Sequence, residues 1–220
     1  MALNVGNKTN NSVAGDGDSS KSFSHVQDAG SNGLLTVWVS HSLASPFATG
    51  VSYGGNALSK TYEQNTTTTE IRHQAWEIST PPTGSNTVLV SFSGAQFNPI
   101  TTEAISFINA NGIGVEAFTD TVGPPATGTI SVSSNSMIVG IGTAGTTGLS
   151  IDINLSSRTL DWNSNINNFV FGAVSETGLS AGSINYSGSS SASIAMWAVE
   201  IQEFVEPSTE TSRNTQVVWL

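Results

Sequence analysis

Cysteine is absent from the 220-residue chain, so the fold needs no disulfides and gives no sign of an oxidising compartment. Charge is scarce. Only 10% of the residues are Asp, Glu, Lys or Arg, against an average of about 25%. The formal net charge is −10. The six basic residues, Lys8, Lys21, Lys60, Arg72, Arg158 and Arg213, are scattered. Neutralising phosphates takes clustered Lys and Arg, so nucleic acid is not an expected partner. No apolar run approaches the roughly 20 residues of a membrane helix. No charged n-region and apolar h-region follow Met1, so no secretory signal is visible. No window sustains a 3.6-residue apolar period, which excludes long helices. These absences predict a soluble protein that accumulates in a cytoplasm and does not engage membranes.

What is present is Ser, Thr, Asn and Gly, punctuating short runs of Val, Ile and aromatics that suit a pleated, half-buried surface. Residues 34–41 alternate, with Leu35, Val37 and Val39 on one face and Thr36, Trp38 and Ser40 on the other, which reads as a half-buried strand. Further strands are expected at 22–26, 51–53, 57–60, 71–78, 88–92 and 104–108. A second half repeats the style, with runs at 130–132, 137–141, 149–153, 158–162, 169–175, 183–186 and 193–204. Turn signals at roughly 8–12-residue spacing are the rhythm of a sandwich. The expectation is all-β: one antiparallel β-sandwich over residues 22–205, preferably a jelly roll, with Greek-key sandwiches in general also fitting. A chain this long buries a full core without staples. Residues 1–21 read as a polar extended arm. Residues 206–220 read as a polar linker and an apolar tail, Thr215-Gln216-Val217-Val218-Trp219-Leu220. A free apolar end is an aggregation hazard, so Val217, Val218, Trp219 and Leu220 are expected to dock, on a partner chain first and back on their own sheet second, with a disordered tail as the third reading.

Two motifs look catalytic. Gly140-Ile-Gly142-Thr-Ala-Gly145 matches the dinucleotide fingerprint, but β-branched, turn-rich sequence follows it where a helix is needed. A glycine-rich bend between strands is the expected reading. Gly178-Leu-Ser180-Ala-Gly182 matches a nucleophile elbow, which also needs a following helix; strand, turn and strand are expected instead. His25, His41 and His73 lie inside strand-like segments without zinc-type spacing and are read as strand-face residues. Asp16 and Asp18 have the start of a Ca²⁺-loop spacing without its later glutamate, and are read as a solvated acidic arm. Glu63, Glu70, Glu77, Asp152, Asp161 and Glu200 are too dispersed to nominate a facing glycosidase pair. Period 2 puts Glu200 opposite Trp197, Val199 and Ile201, facing solvent. Of the five tryptophans, Trp76 and Trp197 read as core. Trp162, in a polar stretch, is the candidate for an exposed carbohydrate or partner contact. No catalytic, cofactor or metal residues are nominated, and no enzyme activity is expected.

The stretch Phe23-Ser-His25, Leu34-Leu-Thr-Val-Trp38, Val51-Ser-Tyr-Gly-Gly55 with Leu58, Ala75-Trp-Glu-Ile78, Pro81-Pro-Thr-Gly84 and Thr87-Val-Leu-Val90 resembles a β-sandwich module of bacteriophage virion proteins and of uncharacterised bacterial proteins. The resemblance spans roughly residues 22–204 and rests on structural residues, so it transfers no catalytic group. It implies a structural virion protein, in its preferred form a capsid decoration or cement protein. Such a protein binds the major capsid protein or another virion protein, and itself as a homotrimer, and resides in the virion. The leading alternative is a carbohydrate-binding module of a fibre or secreted protein. A hydrolase with a cryptic site is a third class.

Overall fold

The computed structural model describes residues 2–67, 70–121, 126–144, 152–155, 162–166, 169–176, 181–189 and 194–206. Among these residues the backbone forms seventeen strands and no helix. The first nine are β1 (Asn4–Val13), β2 (Ser20–Gln27), β3 (Leu34–Ser42), β4 (Ala48–Tyr53), β5 (Asn56–Ala57), β6 (Ser59–Asn65), β7 (Ile71–Ser79), β8 (Gly84–Phe92) and β9 (Ile100–Ile108). The rest are β10 (Ala110–Thr121), β11 (Ala126–Val132), β12 (Met137–Ala144), β13 (Asp152–Leu155), β14 (Trp162–Ile166), β15 (Phe169–Glu176), β16 (Gly182–Ser189) and β17 (Ile194–Glu203). All pairings are antiparallel.

The all-β expectation holds, but one sandwich becomes two. A five-stranded sheet β1-β9-β3-β7-β6 faces a four-stranded sheet β2-β8-β4-β5. The same order returns in the second half as β10-β17-β12-β15-β14, with β11-β16-β13 against it. Among the described residues each strand of the first half except the two-residue β5 thus has a counterpart in the second. The registers agree. Leu34 pairs with Phe107, and Met137 pairs with Ile201. Two residues before Leu34 and Met137 stand Asn32 and Asn135, both with positive φ and both preceded by serine.

The two five-stranded sheets pack face to face. Leu34, Trp38, Ile105 and Phe107 from the first half share one core with Met137, Val139, Trp197, Val199 and Ile201 from the second. Tyr62 on edge strand β6 donates its hydroxyl to the carbonyl of Gly114 on edge strand β10 (2.5 Å), while β1 lies against β14 at the other end. Edge strand therefore meets the opposite edge strand of its counterpart sheet, as an isologous two-fold contact requires. A separate core fills the first sandwich, with Leu35, Val37, Val39, Val51, Tyr53, Trp76, Val88, Val90 and Phe92.

This layering corrects three expectations. β3 is buried on both faces, not one, because its sheet is an inner layer. Its polar residues pair internally: Thr36 Oγ1 accepts from Trp38 Nε1 (3.0 Å). Residues 4–13 are not a detached arm. They form the edge strand β1, paired along β9, where Thr102 Oγ1 donates to the Asn11 carbonyl (2.9 Å). The polarity of that segment reflects its place at a solvated edge, protected by a register shift between Val5 and Lys8. Gly140 and Gly142 lie within strand β12 and are not in a bend.

Candidate functional site

The three histidines are buried and do not converge on a metal; among the described residues no group of three ligating side chains forms one. His73 on β7 points into the seam between the sandwiches, where its Nδ1 meets Ser40 Oγ (2.8 Å) and its ring lies 6.2 Å from that of Trp197. Burial, reinforced by His41, pushes its pKa down to about 3 against a weaker pull from Asp120. His25 meets Thr9 Oγ1 (2.9 Å) and Tyr53, and burial lowers its pKa to about 4 despite Asp28. His41 stands edge-on to Phe92 and is likewise held below its ordinary value, mainly by burial. A general base works near its operating pH. These imidazoles are neutral fillers of polar core positions instead.

Glu200 overturns its sequence reading. It is buried, not solvent-facing. Its Oε1 accepts from the Ser133 amide (2.6 Å) and its Oε2 from the Val115 amide (3.3 Å). Burial pushes its carboxyl up. The amides of Ser133 and Val115, with the hydroxyls of Ser133 and Ser136, outweigh that and hold it below the usual range. The carboxylate serves the Val115 amide, which lies where β10 shifts register between Ile113 and Glu116, and the Ser133 amide just beyond the end of β11. Period 2 assigned the face correctly, but that face is covered. Glu77 does the same from the first sandwich, accepting from the Ile113 amide (3.0 Å). Glu116 accepts from Trp197 Nε1 (2.7 Å). Glu63 is held by Lys60 (2.6 Å) and Gln74 (3.1 Å). Each of these acids stitches strands together. Asp16 and Asp18 flank Lys21 Nζ, whose buried ammonium supplies their counter-charge.

Trp38, Trp76 and Trp197 are all buried, which removes them from any sugar-stacking surface. Trp38 and Trp197 pack edge to face at 5.1 Å across the seam. Trp162 opens strand β14, opposite Ala173; its side chain lies outside the described residues. So do Ser180 and the tail residues Val217, Val218, Trp219 and Leu220.

The exposed feature the sequence reading missed is a loop platform at one end of the first sandwich. Three loops are tied together. Ser93 N donates to Phe47 O (2.9 Å), Asn98 Nδ2 to Ser45 Oγ (2.8 Å) and Gln96 Nε2 to Pro46 O. Gly17 N donates to Gln96 O (2.7 Å), and Gln96 N to Asp18 O (3.0 Å). Gly15 allows the closest approach, because a Cβ there would sit 2.0 Å from the Phe97 carbonyl carbon. The platform displays Phe97, 75% exposed, and Phe47, 44% exposed with Arg72 over its ring at 5.5 Å. Aromatic residues are enriched in the buried cores of protein interfaces.

The outer faces are also distinctive. Strands β2, β4, β5 and β8 contain one charged residue, Lys21, and it is turned inward. Their outward positions include Ser22, Ser24, Thr87 and Ser91.

No protein-family model matches the chain, and no curated protein is significantly similar to it.

Proposed function

We propose that the protein is a structural, assembly-building component of a virion, in its specific form a capsid decoration or cement protein built from two jelly rolls. The strand order supports the jelly-roll reading: in the first half β1-β9-β3-β7 faces β2-β8-β4-β5, two four-stranded sheets in jelly-roll order with β6 added at one edge, and the eight described strands of the second half follow the same order. The observation that carries the functional reading is the hydrogen-bonded loop platform with Phe97 and Phe47 exposed upon it. A surface sheet free of charge supports it further, since interface cores are depleted in charged residues and burying uncharged Ser and Thr costs less than burying ions. The partner is the major capsid protein, and copies of the chain meet as a homotrimer on the shell. The tail at 217–220 is the second contact.

The test is sedimentation of particles from a culture producing the protein, with the wild type, Phe97→Ser, and a chain ending at Glu206. Wild type is expected in the particle fraction and both variants in the soluble fraction, with unchanged thermal unfolding. Absence of the wild type from particles would end the reading. Particle binding by the truncated chain would end the role given to the tail.

A further inference from the structure

A cavity of about 410 Å³ opens where the two sandwiches meet, lined by Asn32, Asn109, Asn135, Glu203, Phe204 and Val205. The internal two-fold relation sets this lining. Asn32 and Asn135 stand two residues before the matched Leu34 and Met137. Asn109 and Glu203 stand two residues after the matched Phe107 and Ile201. The cavity is therefore ringed by two matched pairs, one member of each from either half.

The ring is rigid. All three asparagines hold left-handed backbone, with φ of 52°, 58° and 60°, a conformation asparagine tolerates better than most residues. Ala110 N donates to Asn32 O (3.0 Å), and Phe204 N to Asn109 O (2.8 Å). Asn109 is buried, with its Nδ2 donating to the Ala2 carbonyl (3.0 Å).

The chemistry selects the ligand class. Among the described residues no cation lines the cavity, and Glu203 and Glu206, which both line it, are acidic, so phosphates and carboxylates are repelled. Each carboxamide both donates and accepts hydrogen bonds, which matches hydroxyl groups that do the same. Phe204 and Val205 supply an apolar wall for a C–H face. The volume falls in the range of small-molecule sites, about 300–1,000 Å³. We propose that this cavity binds an uncharged saccharide, held by the amides of Asn32 and Asn135 from opposite halves of the chain. The site stands apart from the assembly reading and does not depend on it.

The test is a titration of the ¹⁵N-labelled full chain with glucose, galactose, mannose and N-acetylglucosamine, with glucuronate as the anionic control. At least one neutral sugar is expected to shift the side-chain amides of Asn32 and Asn135 saturably, and glucuronate to leave them in place. Asn32→Gly and Asn135→Gly keep the left-handed backbone while removing the amide. Each is expected to weaken binding about tenfold, with the remaining spectrum unchanged. The proposal is overturned if no neutral sugar shifts these amides, if glucuronate binds as well as the best neutral sugar, or if both glycine variants bind like the wild type.

Discussion

Protonation of His73 is expected to weaken the fold well above the pH at which its carboxylates titrate. The imidazole is 2% exposed and its pKa is lowered to about 3, whereas in the unfolded chain it lies near the ordinary value of about 6.5. The folded state is the weaker proton binder. Its contribution is therefore fully present above about pH 6.5 and is lost as the pH falls toward about 3. The slope is about 1.4 kcal/mol per pH unit, and the full loss about 5 kcal/mol. His25, with its pKa lowered to about 4, adds a second slope of the same sign, and His41 acts in the same direction. His25 and His73 together remove about 2 kcal/mol between pH 6 and pH 5. The depressed carboxylates Glu63 and Glu200 add a slope of the same sign that becomes large only below that window, near the ordinary glutamate pKa of about 4.3. Glu77, whose carboxyl burial pushes up, works with the opposite sign, so the comparison is made within one background. Urea unfolding followed by tryptophan fluorescence at pH 7, 6 and 5 measures the slope in the wild type and in His73→Gln. Glutamine can still meet Ser40, and the variant should lose about 1.4 kcal/mol per pH unit of the dependence. A wild-type stability that is flat from pH 7 to 5, or a variant with the same slope, would refute the reasoning.

Two further substitutions probe the seam and its latch. Trp197→Ala empties the centre of the shared core and strands Glu116 Oε2, its partner at 2.7 Å; a loss of about 3–5 kcal/mol is expected in chemical denaturation. Glu200→Gln preserves shape but turns an amide N–H toward either Ser133 N or Val115 N, both of which are donors. It should cost about 1–3 kcal/mol, and an unchanged denaturation midpoint would remove the latch role assigned to Glu200.

Strand type was legible from the sequence because alternation and turn residues act locally. Residues 34–41 and 71–78 were read correctly as strands for that reason, and β3 and β7 extend them only slightly. Layer order was not legible, since it depends on which sheet covers which. Thr36, Ser40 and His73 look like solvent-side residues in a period-2 reading. They are buried because a second five-stranded sheet lies across them. Glu200 failed for the same reason. β1 was missed because polar edge strands carry no apolar stripe to betray them, and its pairing appears only through β9. The loop platform was missed because Phe47 and Phe97 are 50 residues apart, and only the hydrogen bonds among their loops bring the segments together.

The repeat itself left a faint sequence trace, and the reason is physical. Matched positions in the two halves share burial and backbone conformation, not side-chain identity: Leu34 matches Met137, and Phe107 matches Ile201. Cores accept such exchanges where volume and patterning are kept. Positions that require an unusual backbone have fewer acceptable residues. The shared Ser-Asn dipeptides at 31–32 and 134–135 mark two of them, each with asparagine in the left-handed region before an inner strand. The joint between the halves is a third, because only Asn109 separates β9 from β10. A one-residue connection cannot let the sandwiches drift apart, so the inner faces are held together at high local concentration. That makes the shared core, with Trp38 against Trp197, an intramolecular version of a dimer interface. Both halves then turn their remaining sheets outward, and the surfaces open to partners are the outer sheets, the loop ends and the cavity where the halves join.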